Sequence, residues 1–406
     1  MDRTVLSPRA IYQDYLTEID GLDSRVRVLL LAVLINAIGT GFILPFITIY
    51  MHEVIGLSYS LIGLALAIRA AVNLGFKLFA GYLVDNVGRR KTMIAAGLLF
   101  ISGYIAYLQA ADFTGLLIAV LLEGTGIGLF WPSSLAAISD LVDPAKKRIA
   151  YAINRASRTA GLGLGLALGS IVAVFTYRGL FYMDILFTAF FVLMIYRRVP
   201  ETRPDATQEQ DSGSLSRALR DPQLLGFTVI ATVFALLFAQ LLQILPPYLK
   251  DFLSVPKLFI GNIFLINALI VVAFQLRVAR RVEELDAMDS VRNSLILWIG
   301  ASLLLWLAVP GVIAIVFALL ALILIAGSEM VYNPVATAFV TDLAPDEAVG
   351  SYVSLYSVAY SLGFIIGPAL GGWFLDSSHP HLLWLLLAGL TAGALGLLGF
   401  YRRHLL

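Results

Sequence analysis

Cysteine is absent from the chain, and charge is scarce. Without thiols there is no disulfide, no thiolate nucleophile and no cysteine-held metal. Charged residues make up 14% of the sequence, against about 25% in a soluble domain, which is too few to coat a water-facing surface. The four histidines, His52, His379, His381 and His404, fall at predicted span ends, and no two have metal-site spacing within a span. No metal or other cofactor is therefore expected. No glycine-rich loop leads into Lys-Ser or Lys-Thr after a strand, which excludes ATP-driven chemistry of the P-loop kind. A nucleophile, base and metal-ligand cluster near one interface is also missing, so the chain does not read as an enzyme. Its cations sit in short loops beside apolar runs, which excludes a nucleic-acid partner.

What the chain has is apolar length. Hydrophobic residues make up 59% of its 406 positions. Runs of about 20 such residues cross a bilayer as helices, because a helix satisfies its own backbone. Twelve spans are predicted, at 27–51, 57–84, 91–110, 114–138, 150–175, 179–196, 223–248, 257–279, 292–309, 311–339, 348–374 and 381–400. The fold class is all-α integral membrane. The polar first 24 residues do not read as a cleaved signal peptide. Within them Ile11, Tyr12, Tyr15, Leu16 and Ile19 recur at helical spacing, as in a short interfacial helix or a frayed tail. Residues 197–222 are polar and carry Pro, Gly and Ser, as a linker does. The expected division is a segment 1–24, a six-helix bundle 25–196, a linker 197–222 and a second bundle 223–406.

The positions of the cations orient the chain. With the N-terminus inside, 23 of the 28 Lys and Arg residues lie on the cytoplasmic side, counting Arg155, Arg158 and Arg277 as span-end residues. Both termini are then cytoplasmic, in the plasma membrane. An internal repeat supports two parallel halves. Pro132 and Pro334 are 202 residues apart, as are Asp140 and Asp342, Gly161 and Gly363, Gly165 and Gly367, and Gly169 and Gly371. Parallel repeats are a transporter architecture, with sites near the midplane between the halves.

The stretch Gly81-Tyr82-Leu83-Val84-Asp85-Asn86-Val87-Gly88-Arg89-Arg90-Lys91 joins spans two and three. It resembles the loop motif of the major facilitator superfamily, as does Pro200-Glu201-Thr202 after span six. The resemblance runs from about residue 25 to 402. Within the superfamily, Gly327-Ser328-Glu329-Met330-Val331-Tyr332-Asn333-Pro334, then Asp342 and Gly350-Ser351-Tyr352, are similar to spans ten and eleven of multidrug/proton antiporters of the LmrP type. Two positions differ from that pattern: Val120 stands where an Arg is usual in span four, and Leu166 replaces the proline of the span-five antiporter motif. The resemblance implies a monomeric secondary transporter whose partners are the lipid bilayer, a small-molecule substrate and protons. It also implies that Gly81, Asp85, Gly88, Arg89, Arg90 and Lys91 form a cytoplasmic gate that latches the outward-open state.

Residues inside the spans carry the chemistry. A charge at a bilayer's centre costs at least about 2.5–3.5 kcal/mol, so such residues are functional candidates. Four stand out: Arg69, Lys77, Glu123 and Glu329. At helical rise, Arg69 lies roughly 24 Å above Asp85, Glu123 roughly 25 Å above Asp140 and Glu329 roughly 20 Å above Asp342. Lys77, near the span end, can snorkel. Arg69 and Glu123 share a level and are expected to pair, either as structural glue or as part of a transport site. Glu329 has no evident cation, which suits proton coupling or attraction of a cationic compound. A hydrogen bond to backbone is the bland alternative.

Asn36, Asn73, Gln240, Gln243, Asn262, Asn267, Tyr332 and Asn333 are polar residues in spans, and they either line a cavity or bond to neighbouring helices. Asp85 is expected to accept from helix N-terminal amides, and Gly81 to allow close helix approach. Asp140 and Asp342 are expected to make equivalent helix-end contacts. The glycine rows 161–165–169 and 363–367–371 are expected to form packing seams between the halves. The overall expectation is proton-coupled efflux of lipophilic or cationic compounds. The alternative is a proton-linked carrier or flippase for a specific metabolite or lipid.

Overall fold

The computed structural model describes residues 22–143, 146–202, 216–282, 285–345 and 348–404, without the side chains of Tyr82, Asp85, Arg148, Leu276 and Ala279. Twelve helices long and apolar enough to cross a membrane run through these residues. They are α1 (Ser24–Glu53), α2 (Tyr59–Val87), α3 (Arg89–Gln109), α4 (Phe113–Leu141), α5 (Lys147–Phe175), α6 (Tyr177–Arg198), α7 (Pro222–Gln243), α8 (Lys257–Val282), α9 (Ala287–Leu307), α10 (Val312–Leu343), α11 (Val349–Leu375) and α12 (Leu382–His404). The interfacial helix expected before residue 20 and the middle of the linker, residues 203–215, lie outside the described residues.

Polar side chains set the helix starts. Asp23, Ser58, Asp112, Thr176, Asp221 and Asp286 each accept from a first-turn amide, at the starts of α1, α2, α4, α6, α7 and α9. These caps satisfy donors that have no helical partner. Prolines set the breaks. α1 is interrupted around Pro45, between Ile43 and Ile47, where the missing N–H and the ring disfavour a continuous helix. After α7 the chain passes through Leu245–Pro247 into a π-helical turn, Tyr248–Phe252.

Packing is dense within the first six helices and within the last six. α1 lies on α5 and α6, α2 on α4, and α3 on α4 and α6. In the second group α7 lies on α11 and α12, α8 on α10, and α9 on α10 and α12. Among the described residues two strong pairings join the groups, α2 with α11 and α5 with α8. The repeat reaches individual bonds. Tyr50 donates its hydroxyl to the carbonyl of Tyr107 at 2.9 Å, and Tyr248 donates to Leu305 at 3.4 Å, each across 57 residues.

The glycine rows sit elsewhere than expected. Added Cβ atoms at Gly161, Gly165 and Gly169 would lie 2.5, 2.1 and 2.7 Å from the carbonyls of Leu34, Ile38 and Phe42 in α1. Gly363 and Gly371 press likewise on Ala235, Leu236, Gln240 and Ile244 at and just beyond α7. Both rows are therefore seams inside a helix group, where helices cross closely because no side chain intervenes. They do not lie between the two groups.

Candidate functional site: a cleft between two helix groups

Three other glycines join the groups, all at one end. A Cβ at Gly63 in α2 would sit 2.2 Å from the Pro368 carbonyl in α11, and one at Gly372 would sit 2.1 Å from that of Tyr59. Gly261 of α8 approaches the Leu166 carbonyl of α5, with 2.7 Å left for a Cβ. This end, opposite the 81–91 loop, is here termed the far face.

Charges reinforce the far face. Tyr59 donates its hydroxyl to Asp251, and Lys250 pairs with Glu53, each bond crossing between groups. Lys257 lies 3.5 Å from Glu53 and stacks 4.3 Å from the Tyr177 ring centroid. Asp376 accepts from the amides of Tyr59 at 3.0 Å and Ser60 at 2.7 Å, so a carboxylate from the end of α11 caps α2. Burial opposes the Lys250 ammonium, but bonds to Asp251 and Glu53 outweigh it and raise its pKa above the ordinary lysine value.

At the motif face the same helices part. Built Cβ atoms at Gly75 and Gly81 of α2 and Gly350 of α11 meet nothing within 4 Å. Gly81 therefore makes no close helix approach in this conformation. The two groups meet at the far face and diverge toward the motif face, leaving a cleft between them.

The motif loop contacts its own group. Arg89 is 5% exposed, pairs with Asp140 at 2.9 Å and donates to the Val84 carbonyl. Glu201 accepts from the amides of Arg90 at 3.0 Å and Lys91 at 3.2 Å, capping α3 from beyond α6. Arg90 stacks on Tyr196 and donates to its carbonyl. Gly88 has φ +108°, and a Cβ there would lie 2.4 Å from Glu201 Oε1, so both backbone and space require glycine. The acceptor expected of Asp85 is thus supplied to α3 by Glu201, and the Asp85 side chain lies outside the description. Asp342 is exposed and has no ion pair among the described residues. The equivalence expected with Asp140 does not hold here, because no described cation reaches it.

Inside the first group the structure brings Arg69 and Glu123 together. Arg69 Nη1 lies 2.9 Å from Glu123 Oε1, and the Tyr107 hydroxyl donates to Oε2 at 2.6 Å. The pair joins α2 to α4 with α3 closing behind it. Gly124 lets the helices approach: its Cβ would sit 2.7 Å from the Arg69 carbonyl. Truncating one member of such a buried pair strands the other, at a cost of about 3–5 kcal/mol.

Asp184 of α6 belongs beside this cluster, and sequence reasoning misses it. It is fully buried, accepts from Thr188 at 3.2 Å and lies beside the Tyr104 hydroxyl. Its Oδ2 has no hydrogen bond of normal geometry. Gly39 of α1 makes the room, since a Cβ there would lie 2.2 Å from Asp184 Oδ1. The signal is present in the chain: an aspartate within the apolar run 179–196.

In the second group Glu329 lies on α10, half-buried, with Oε1 lacking a hydrogen bond. No described cation pairs with it; Tyr360 of α11 is a neighbour. Lys77 is exposed on α2. Several cavity candidates are corrected. Gln240 and Tyr332 are fully buried, Gln243 is 3% exposed and Asn36 is 7% exposed. Gln240 donates to the Gly367 carbonyl at 2.7 Å, and Tyr332 stacks on Phe234 with centroids 3.6 Å apart. Asn267 donates to the Leu322 carbonyl at 3.1 Å. Gln240 and Asn267 thus tie neighbouring helices together, while Gln243 Oε1 and the Tyr332 hydroxyl are buried without a hydrogen bond of normal geometry. Asn73 and Asn333 remain half-buried.

Paired helix groups joined at one face and parted at the other, with ionisable residues within the spans, define a multi-pass membrane transporter. The chain belongs to the Major Facilitator Superfamily, whose family model matches residues 29–288 and 290–405. It is 27% identical over 377 residues to the uncharacterized MFS-type transporter YdeE of Escherichia coli K12, covering 89% of this chain and 91% of that one. It is 24% identical over 369 residues to the multidrug resistance protein MdtH of Klebsiella pneumoniae, covering 88% of each. Among solved structures it resembles the nucleoside transporter NupG, with a TM-score of 0.80, 13% identity, and coverage of 94% of this chain and 100% of that one. These relatives are transporters, not enzymes.

Proposed function

We propose that the chain is a proton-coupled exporter of lipophilic or cationic compounds. It works as a monomer by alternating access between the bundles 25–196 and 223–406. The observation that carries this is Glu329, a carboxyl within α10 with no cationic partner among the described residues. Such a group exchanges protons readily or attracts a cation when ionised. The name of MdtH, a multidrug resistance protein, supports drug efflux. Placing the motif face in the cytoplasm follows the excess of Lys and Arg there. The cleft is then open inward, and the far face is the closed extracellular gate.

Reconstitution in liposomes under an imposed pH gradient tests this. Wild type is expected to move ethidium against its gradient and to move protons oppositely. Absence of proton movement contradicts it. A proton-linked carrier or flippase for one metabolite or lipid is the second reading. Mutual inhibition by chemically unrelated cations separates them, since a dedicated carrier shows none.

A further inference from the structure

Arg158 does not sit in the end turn of its span. α5 starts at Lys147, so Arg158 lies eleven residues in, roughly 16 Å along the helix axis. It is exposed, and its guanidinium lies over the Trp131 ring of α4, 4.7 Å from the centroid. No carboxylate pairs with it among the described residues. Orientation does not need a cation at this depth, because Lys146 and Lys147 already mark the start of α5. An unpaired guanidinium within a span is costly, and its planar donors match a carboxylate.

Glu329 stands at a similar level in the other group, roughly 20 Å from Asp342 along α10. Among the described residues it too lacks a partner of opposite charge. Tyr360, eleven residues into α11, lies within electrostatic reach of both Glu329 and Arg158. Tyr356 and Phe364 flank it, with centroids 6.4 and 5.7 Å away. Among the described residues, a cation of the first group without a carboxylate and a carboxyl of the second without a cation thus share one aromatic neighbour, Tyr360.

We infer that the cleft holds a two-point site for amphoteric organic ions. Arg158 binds a carboxylate on the substrate, Glu329 faces its amine, and Trp131 and Tyr360 bound its apolar body. This rests on the proposed export function and narrows its substrate class to compounds that carry both charges. It also gives each group of helices one end of the substrate, so occupancy by an amphoteric ion bridges them. A permanent monocation uses only the Glu329 end.

Binding and transport are measured separately on the full-length protein. Norfloxacin, a zwitterion at neutral pH, and ethidium, a monocation, are titrated against purified wild type. For Arg158→Gln the ratio of norfloxacin to ethidium affinity is expected to fall about tenfold, the worth of one lost charge-assisted bond. Arg158→Lys is expected to restore most of that ratio. Norfloxacin methyl ester, which lacks the anion, is expected to bind wild type about tenfold more weakly than norfloxacin, and this arm needs no variant. An unchanged ratio in Arg158→Gln, equal binding of the ester, or no norfloxacin binding overturns the two-point site. Uncoupled transport of ethidium overturns the export function instead and leaves these affinities as measured.

Discussion

Arg69 of α2 and Glu123 of α4 form an ion pair 2.9 Å apart, and the Tyr107 hydroxyl closes on the second oxygen of the carboxylate. Three helices thereby share one charge-compensated contact within the apolar bundle. Neutralising one member leaves the other buried and unpaired. Arg69→Ala and Glu123→Ala are each expected to destabilise the protein by about 3–5 kcal/mol, with the double variant costing far less than their sum. Thermal unfolding in detergent reads stability, and ethidium transport is measured on the same set. Additive losses in both contradict the coupling.

Gly39 and Asp184 make a second test. A methyl group at position 39 would collide with a buried carboxyl. Gly39→Ala is expected to destabilise by about 1–3 kcal/mol, as overpacking does. Adding Asp184→Ala in the same chain removes the colliding atoms and is expected to recover part of that loss. If the double variant is no more stable than the sum of the singles predicts, the contact is not what constrains Gly39.

The far-face gate predicts a conformational shift. Gly372→Val places side-chain atoms against the Tyr59 carbonyl, where a Cβ alone would lie 2.1 Å away. Closure at that face is then blocked, and the motif face is expected to close more of the time. The chain has no native cysteine, so Leu78→Cys on the exposed motif-face end of α2 reports without background. Its alkylation is expected to slow several-fold in Gly372→Val membranes. An unchanged rate contradicts a gate built on this crossing.

Loss of a helix cap gives a milder effect. Glu201 holds the first amides of α3. Glu201→Ala is expected to lower stability by about 0.5–2 kcal/mol, without abolishing folding. Measured unfolding at the wild-type midpoint would contradict the capping role.

Much of the fold was legible because bilayer crossing imposes length and apolarity on each segment, and the twelve helices follow from that alone. The level of Arg69 against Glu123 was legible too, since helical rise converts sequence position into depth. Partners were not. The spacing of Gly161, Gly165 and Gly169 defines a helix face, yet the neighbour it meets is α1, not the other group. Gln240 reads as cavity-lining or bonding with equal right, and only the position of the Gly367 carbonyl decides between them. Asp184 does not stand out because its run also carries many apolar aromatic residues. Arg158 reads as a helix-end residue in the sequence because no capping residue marks the start of α5.

Glu329→Gln in liposomes is the most direct measurement. The variant keeps the size and hydrogen-bonding groups of the side chain but cannot exchange a proton. It is expected to abolish ethidium movement driven by a pH gradient while downhill exchange continues. Proton-driven transport at the wild-type rate in that variant would remove Glu329 from the coupling mechanism.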